Sequence, residues 1–173
     1  YPVQTVVGIF MAQAERLGDR TLRLAKKDGV WQAMTWRQAR EAMPAAVMGL
    51  VSLGLAKGDT VGIASHTRAE WSEADLAILA AGGVTVGIYP SASLWEMTHV
   101  VGHSGLKICF VEDDGLLERL LAVQAETGLP ETLILFETGR SILPPGVLTL
   151  EAFLEQGRAV SASAPDRFEE IWR

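Results

Sequence analysis

The chain has 173 residues, of which 49% are apolar and 21% charged, with a net charge of -6. That length supports one α/β domain with a real core, and that composition excludes an intrinsically disordered polymer. The acidic balance offers no cationic footprint, so nucleic acid is not an expected partner.

The first residue is Tyr1, not Met, and the sequence therefore reads as a piece of a longer one. No positively charged segment followed by an apolar run opens it, so no secretory signal is expected. Residues 5–16 read as an amphipathic helix with Val6, Ile9, Phe10 and Ala14 toward one face. Residues 21–36, TLRLAKKDGVWQAMTW, read as a β-hairpin turning at Asp28-Gly29, with Val30 and Trp31 starting the return strand. This antiparallel pair is expected at the edge of a larger sheet.

Thr35 and Gln38 form a capping-box pattern, in which each side chain satisfies an amide that the other leaves free. The helix they open carries Ala39, Ala42, Met43, Ala46, Val47 and Leu50 at helical spacing and stops at Gly54. Pro44 inside it removes a hydrogen bond and predicts a kink near Arg40.

Three units then repeat one grammar. Residues 60–64 form a strand, and Thr67 with Glu70 is expected to cap a helix over 68–81. Residues 84–88 form a strand, and Ser93 with Glu96 caps a helix over 94–101. Residues 106–111 form a strand, and Asp113 or Asp114 caps a helix over 116–124; residues 132–136 supply another strand. Strands alternating with helices predict a doubly wound, mostly parallel sheet with helices on both faces. The uncharged run 76–95 is about as long as a membrane helix, yet Gly82, Gly83, Gly87 and Pro90 interrupt it. A buried helix followed by a buried strand explains it better, and no transmembrane segment is expected.

After Glu137 the order loosens. GRSILPPG is a turn-rich connection, Val147 and Leu148 a short strand, and 149–155 a helix ending at Gly157. Residues 1–160 are expected as one unit. Residues 161–173 are expected as a linker (161–165) and a short helix (168–172) whose Trp172 docks onto something outside the chain.

Motifs that could carry chemistry mostly have plainer explanations. GLAKGD (54–59) lacks the Gly-Lys-Ser/Thr ending of a phosphate loop and runs from helix into strand, the wrong order for a phosphate cradle. AGGVTVG (81–87) lacks the dinucleotide spacing. Glu112, Asp113 and Asp114 suit a helix N-terminus better than a metal. Cys109, the single cysteine, sits in the apolar run LKICFV and builds no disulfide, which fits a reducing cytosol better than a nucleophile. His66 follows a strand, where ligands of open α/β sheets gather; His99 lies within a helix and His103 near its end. Trp36, Trp71 and Trp95 are expected to pack. No catalytic, cofactor-binding or metal-binding residue is assigned.

Four strings taken together, MTWRQ, LGLAKGDTVGI, RAEWSEADLAILAAGGVTVGIYP and HSGLKICFVED, resemble the first subdomain of the adenylate-forming, AMP-binding acyl-CoA synthetases. The resemblance covers about residues 5–111. VGIYPS followed by a capped helix and His-Ser is its most specific part and is similar to the long-chain fatty acid–CoA ligase branch. Thr67, Ala69 and His99 stand where such enzymes usually show Asn, Pro and Tyr. The resemblance implies a parent enzyme that uses ATP, Mg²⁺ and coenzyme A to activate a fatty acid, the chain itself being an inactive N-terminal region partnered by the rest of the polypeptide. It also implies a cytoplasmic location, with peripheral membrane association left open. The phosphate-binding Ser/Thr/Gly-rich loop, acidic hinge and lysine of such enzymes have no counterpart in these residues. A free-standing doubly wound regulatory or nucleotide-sensing module is the alternative, and a degenerate docking protein a third. Topology alone directs attention to residues 65–67 and 89–91, including His66 and Tyr89, and to the stretch from Glu137 onward.

Overall fold

A computed structural model describes residues 5–27 and 29–173, so Asp28 of the expected turn lies outside the described residues. Helix α1 (Val6–Leu17) is capped by Thr5, whose hydroxyl accepts from the Gly8 amide. Its buried stripe is Val7, Phe10, Met11 and Ala14. Val6 and Ile9 lie on the solvent side, which corrects the expected face by one residue.

Strands β1 (Thr21–Lys27) and β2 (Val30–Thr35) pair antiparallel, as their alternation predicts. They form a two-stranded sheet of their own, not the edge of a larger one. Period-two alternation shows that a segment is extended but not which strand it joins. The hairpin is tied instead to a helix, through Arg23 and Glu73.

Helix α2 (Trp36–Ser52) opens on the Thr35/Gln38 capping box and runs through Pro44 as one helix. It stops where Gly54 takes a φ of 85°. Strand β3 (Thr60–Ala64) leads to α3 (Ala69–Ala80), and β4 (Val84–Ile88) to α4 (Leu94–Ser104). Strand β5 (Ile108–Val111) leads to α5 (Asp114–Thr127), followed by β6 (Thr132–Leu135) and β7 (Val147–Thr149). Helices α6 (Leu150–Ser163) and α7 (Arg167–Trp172) complete the order.

The five later strands form one parallel sheet in the order β4-β3-β5-β6-β7. Strand alternation divides the core between its faces. Val61, Ile63, Ile108, Phe110 and Ile134 point toward α1, α2, α3 and α6. Ala64, Cys109, Val111, Leu133 and Leu135 point toward α4 and α5. Phe110 and Phe153 meet edge-on with centroids 5.5 Å apart.

Two expectations near the end of the chain are overturned. Helix α6 does not stop at Gly157 but continues to Ser163, absorbing the start of the expected linker. Helix α7 is not left without a partner. Phe168 is buried in the same core cluster as α2, and Trp172 is half-buried beside it. A buried aromatic stabilises by about 2–3 kcal/mol, enough to hold a six-residue helix that could not stand alone.

Candidate functional site at the carboxyl ends of the strands

Strand order places a topological switch between β3 and β5. The chain leaves β3 to one side, reaching β4, and then crosses back to lay β5 on the other. The loops after these two strands therefore diverge and leave a crevice, the usual ligand position in open α/β sheets. His66 and Glu112 stand on its two sides. The His66 amide donates to Glu112 Oε2 at 2.7 Å, and His66 Nδ1 lies 2.8 Å from the same oxygen. Ser65 Oγ donates to the His66 carbonyl oxygen at 2.8 Å and shapes the turn.

Arg68 links this pair to the third strand end. Its Nε donates to Glu70 at 2.7 Å, Nη2 reaches Glu137, and Nη1 lies 3.9 Å from Glu112. The guanidinium also sits over the Phe136 ring, 5.7 Å from its centroid. The ends of β5 and β6 run on side by side, since the Glu137 amide donates to the Glu112 carbonyl oxygen just beyond the last strand pairs.

The charges follow from these contacts. Glu70 is held below its ordinary range chiefly by the Arg68 hydrogen bond. Burial pushes Glu112 upward, but the His66 hydrogen bonds and the nearby Arg68 outweigh it, and the carboxyl lies below its usual range. Arg68 is raised, first by its bond to Glu70. A second knot lies further along. Asp114 accepts from the Gly139 amide, the Thr138 hydroxyl and Arg140 Nε at 2.9, 2.8 and 3.1 Å, and is lowered accordingly. Arg140 also meets Glu118.

Tyr89, 80% exposed, follows β4 on the other side of β3 and shares a second opening with His66. With Ser65, Thr67, Trp71 and Gly87 they border a cavity of about 410 Å³. The loop carrying Tyr89 is held from beneath, because Arg119 donates to the carbonyl oxygens of Pro90 and Ala92. A larger groove of about 750 Å³ opens between the hairpin and α3, reaching Arg68 and Glu137.

Sequence reasoning placed His66 and Tyr89 on these loops correctly, and the structure brings both to one cavity. It missed Arg68, the cation that joins three strand ends. The available signal was an arginine just after one strand with glutamates just after two others. It also misassigned Thr67 and Glu70. Arg68 is the N-cap residue of α3 and no side chain caps that helix, because Glu70 is engaged by the guanidinium. Asp113 does cap α5, accepting from the Leu116 amide, whereas Glu112 serves His66.

Cys109 is fully buried, and burial pushes its thiol up to about 12. His99 and His103 lie on the exposed face of α4 with Trp95, which is 74% exposed and does not pack into the core as expected. Among the described residues no group of three or more His, Cys, Asp and Glu is arranged to hold a metal ion. Nor is any described helix long and apolar enough to cross a membrane.

A triphosphate does not fit the residues of this crevice. Its borders carry the carboxylates of Glu112 and Glu137, and the Arg68 guanidinium is already engaged by glutamates. An added polyanion would meet repulsion from the acids before it reached a cation.

Comparison with known proteins agrees with this architecture. The family described as AMP-binding enzyme matches residues 10–155. Long-chain-fatty-acid–CoA ligase ACSBG2 of Xenopus laevis is 28% identical over 166 residues, which is 96% of this chain and 22% of that protein. Long-chain-fatty-acid–CoA ligase FadD15 of Mycobacterium bovis is 45% identical over 87 residues, 50% of this chain and 14% of that protein. The chain thus spans about a fifth or less of these curated relatives. Among solved structures, the A-PCP didomain of carboxylic acid reductase from Segniliparus rugosus, in complex with AMP, superposes with a TM-score of 0.74 at 14% identity. The superposition covers 91% of this chain and 27% of that one.

Proposed function

The chain belongs to the AMP-binding enzyme family, and from that premise we propose that it is the N-terminal scaffold of an ATP-dependent long-chain fatty acid–CoA ligase, inactive by itself. The observation that carries this reading is the match to two long-chain-fatty-acid–CoA ligases that each extend far beyond the matched region. The whole enzyme would join a fatty acid to ATP, giving an acyl-adenylate and pyrophosphate, and then transfer the acyl group to the coenzyme A thiol. ATP, Mg²⁺ and coenzyme A belong to that reaction, and the strand-end residues of this chain, rich in carboxylates, do not suit a polyanion.

This chain's own residues have a positioning role. Arg68, held by Glu70 and Glu137, keeps the loops after β3 and β6 at a constant separation. The His66–Glu112 bond holds the loop after β3 against that after β5. Tyr89, supported by the Arg119 clamp, is the exposed aromatic of the rim. We place this rim against the remainder of the same polypeptide, as one wall of the acyl-activation site. Inactivity of the isolated chain is supported by the absence of a phosphate-loop motif and by the prior engagement of Arg68 and Arg140 with carboxylates.

The test has two parts. The isolated chain is mixed with ATP, Mg²⁺ and a series of fatty acids, and no ATP–pyrophosphate exchange is expected. In the full-length enzyme, His66→Ala and Tyr89→Phe are assayed for acyl-CoA formation across acyl chain lengths. Exchange by the isolated chain overturns its inactivity, and wild-type kinetics in both variants remove the rim from the site.

A further inference from the structure

Helix α4 shows a feature unrelated to the crevice. Trp95, His99 and His103 follow one another at intervals of four residues and form a ladder along one exposed face. The Trp95 and His99 rings stack with centroids 5.8 Å apart and an 11° interplanar angle. His99 and His103 repeat this at 5.8 Å and 12°. Apolar burial does not account for the ladder, since all three residues are exposed.

We propose that His99 and His103 together chelate a divalent transition-metal ion of the copper–nickel–zinc class on the surface of α4. Residues four apart on a helix carry Cβ atoms about 5–6 Å apart, close enough for two imidazoles to turn onto one ion, and i, i+4 histidine pairs hold zinc on helices in this way. Among the described residues neither imidazole makes a hydrogen bond or ion pair, so turning the rings onto an ion gives up only the stacking contacts. Gly102 lies between them in sequence with open space where a side chain would stand, leaving room for the water molecules that complete the coordination. His103 occupies the last turn of α4, where the helix dipole favours a cation.

The donor chemistry selects the ion class. Neutral imidazole nitrogens suit copper, nickel and zinc, whereas Mg²⁺ and Ca²⁺ require oxygen. With two nitrogens and water as ligands, no enforced tetrahedron favours zinc, and the natural affinity order places Cu²⁺ first. The site is independent of the ligase reading. Its metal differs from the Mg²⁺ of that reaction, and its position is outside the crevice, so the two can fail separately.

Trp95 makes the proposal measurable, because a paramagnetic ion on His99 quenches a neighbouring indole. The chain is titrated with Cu²⁺ alone, with Ni²⁺, Zn²⁺ and Mg²⁺ in parallel, while tryptophan emission and the copper EPR spectrum are recorded. Expected are saturable quenching near one equivalent of Cu²⁺, EPR couplings from two nitrogens, and no response to Mg²⁺. His99→Gln and His103→Gln should each weaken binding at least about tenfold, or ~1.4 kcal/mol, with the circular-dichroism spectrum unchanged. Trp95→Phe should keep the affinity and lose most of the quenching. Copper affinity unaltered in both histidine variants overturns the proposal. A wild-type EPR spectrum without coupling from two nitrogens overturns it equally and needs no variant to fold.

Discussion

A Cβ atom placed on Gly157 would stand 1.8 Å from the carbonyl oxygen of Ala45. Helix α6 therefore crosses α2 with backbone against backbone, one residue beyond Pro44. The reciprocal glycine, Gly49, receives the Phe153 ring, which would lie 2.6 Å from an added Cβ. Gly157→Ala must displace a helix backbone, so the expected loss is at or above the top of the ~1–3 kcal/mol typical of overpacking. Urea unfolding measures it, and a change within about 0.5 kcal/mol would show that α6 can slide on α2.

Capping separates two positions that look alike in sequence. Ser93 accepts from the Glu96 amide at 3.2 Å, and Glu96 accepts from the Ser93 amide at 2.6 Å, so the box is complete. Thr67 caps nothing, because α3 has no side-chain cap. Ser93→Ala should cost about 1 kcal/mol and Thr67→Ala less than about 0.5 kcal/mol. Equal losses in thermal denaturation would refute the distinction.

Acid stability depends on the Arg68 cluster. Glu70 and Glu112 have folded-state pKa values below the ordinary 4.5. Groups depressed by folding contribute stability that is complete above the unfolded value and lost as pH falls through the folded one. Stability should hold above about pH 4.5 and decline below it. Arg68→Ala releases Glu70, whose main restraint is that guanidinium, and leaves Glu112 its bonds to His66. Because solvent partly screens these pairs, the variant should lose about 2 kcal/mol at neutral pH and show a shallower acid limb. Unfolding free energies from pH 7 to 3 provide the check.

Cys109 should be inert in the native protein. Its thiol, raised to about 12 by burial, is essentially un-ionised at pH 8. Its sulfur faces the backbone of β3 closely, since a Cβ on Gly62 would stand 2.7 Å from it. Reaction with Ellman's reagent at pH 8 should proceed only as fast as the sheet opens and become immediate in guanidinium. Rapid modification of the folded chain would contradict the burial.

Local signals carried much of the fold. The apolar runs 60–64 and 84–88 are strands with the boundaries read from sequence. The Thr35 and Ser93 boxes open their helices as expected. These features depend on neighbours within four residues, and such interactions are written directly in the order of side chains. His66 and Tyr89 were legible as rim residues for a related reason, because strand ends follow from strand positions. Thr67 failed because Arg68, not Thr67, takes the N-cap position, and its guanidinium engages Glu70 two residues on and Glu137 from a distant strand end.

Composition and spacing by themselves thus determined that the chain alternates strands and helices and is capped at particular residues, and its wording resembles that of an adenylate-forming synthetase. Tertiary structure alone decided that Gly157 is a contact instead of a stop, that the hairpin stands as a separate sheet, and that Arg68 joins three strand ends. A glycine permits both a helix end and a close approach. An arginine can pair with any carboxylate within reach. Which of these occurs depends on residues tens of positions away, whose distance only the packed chain sets.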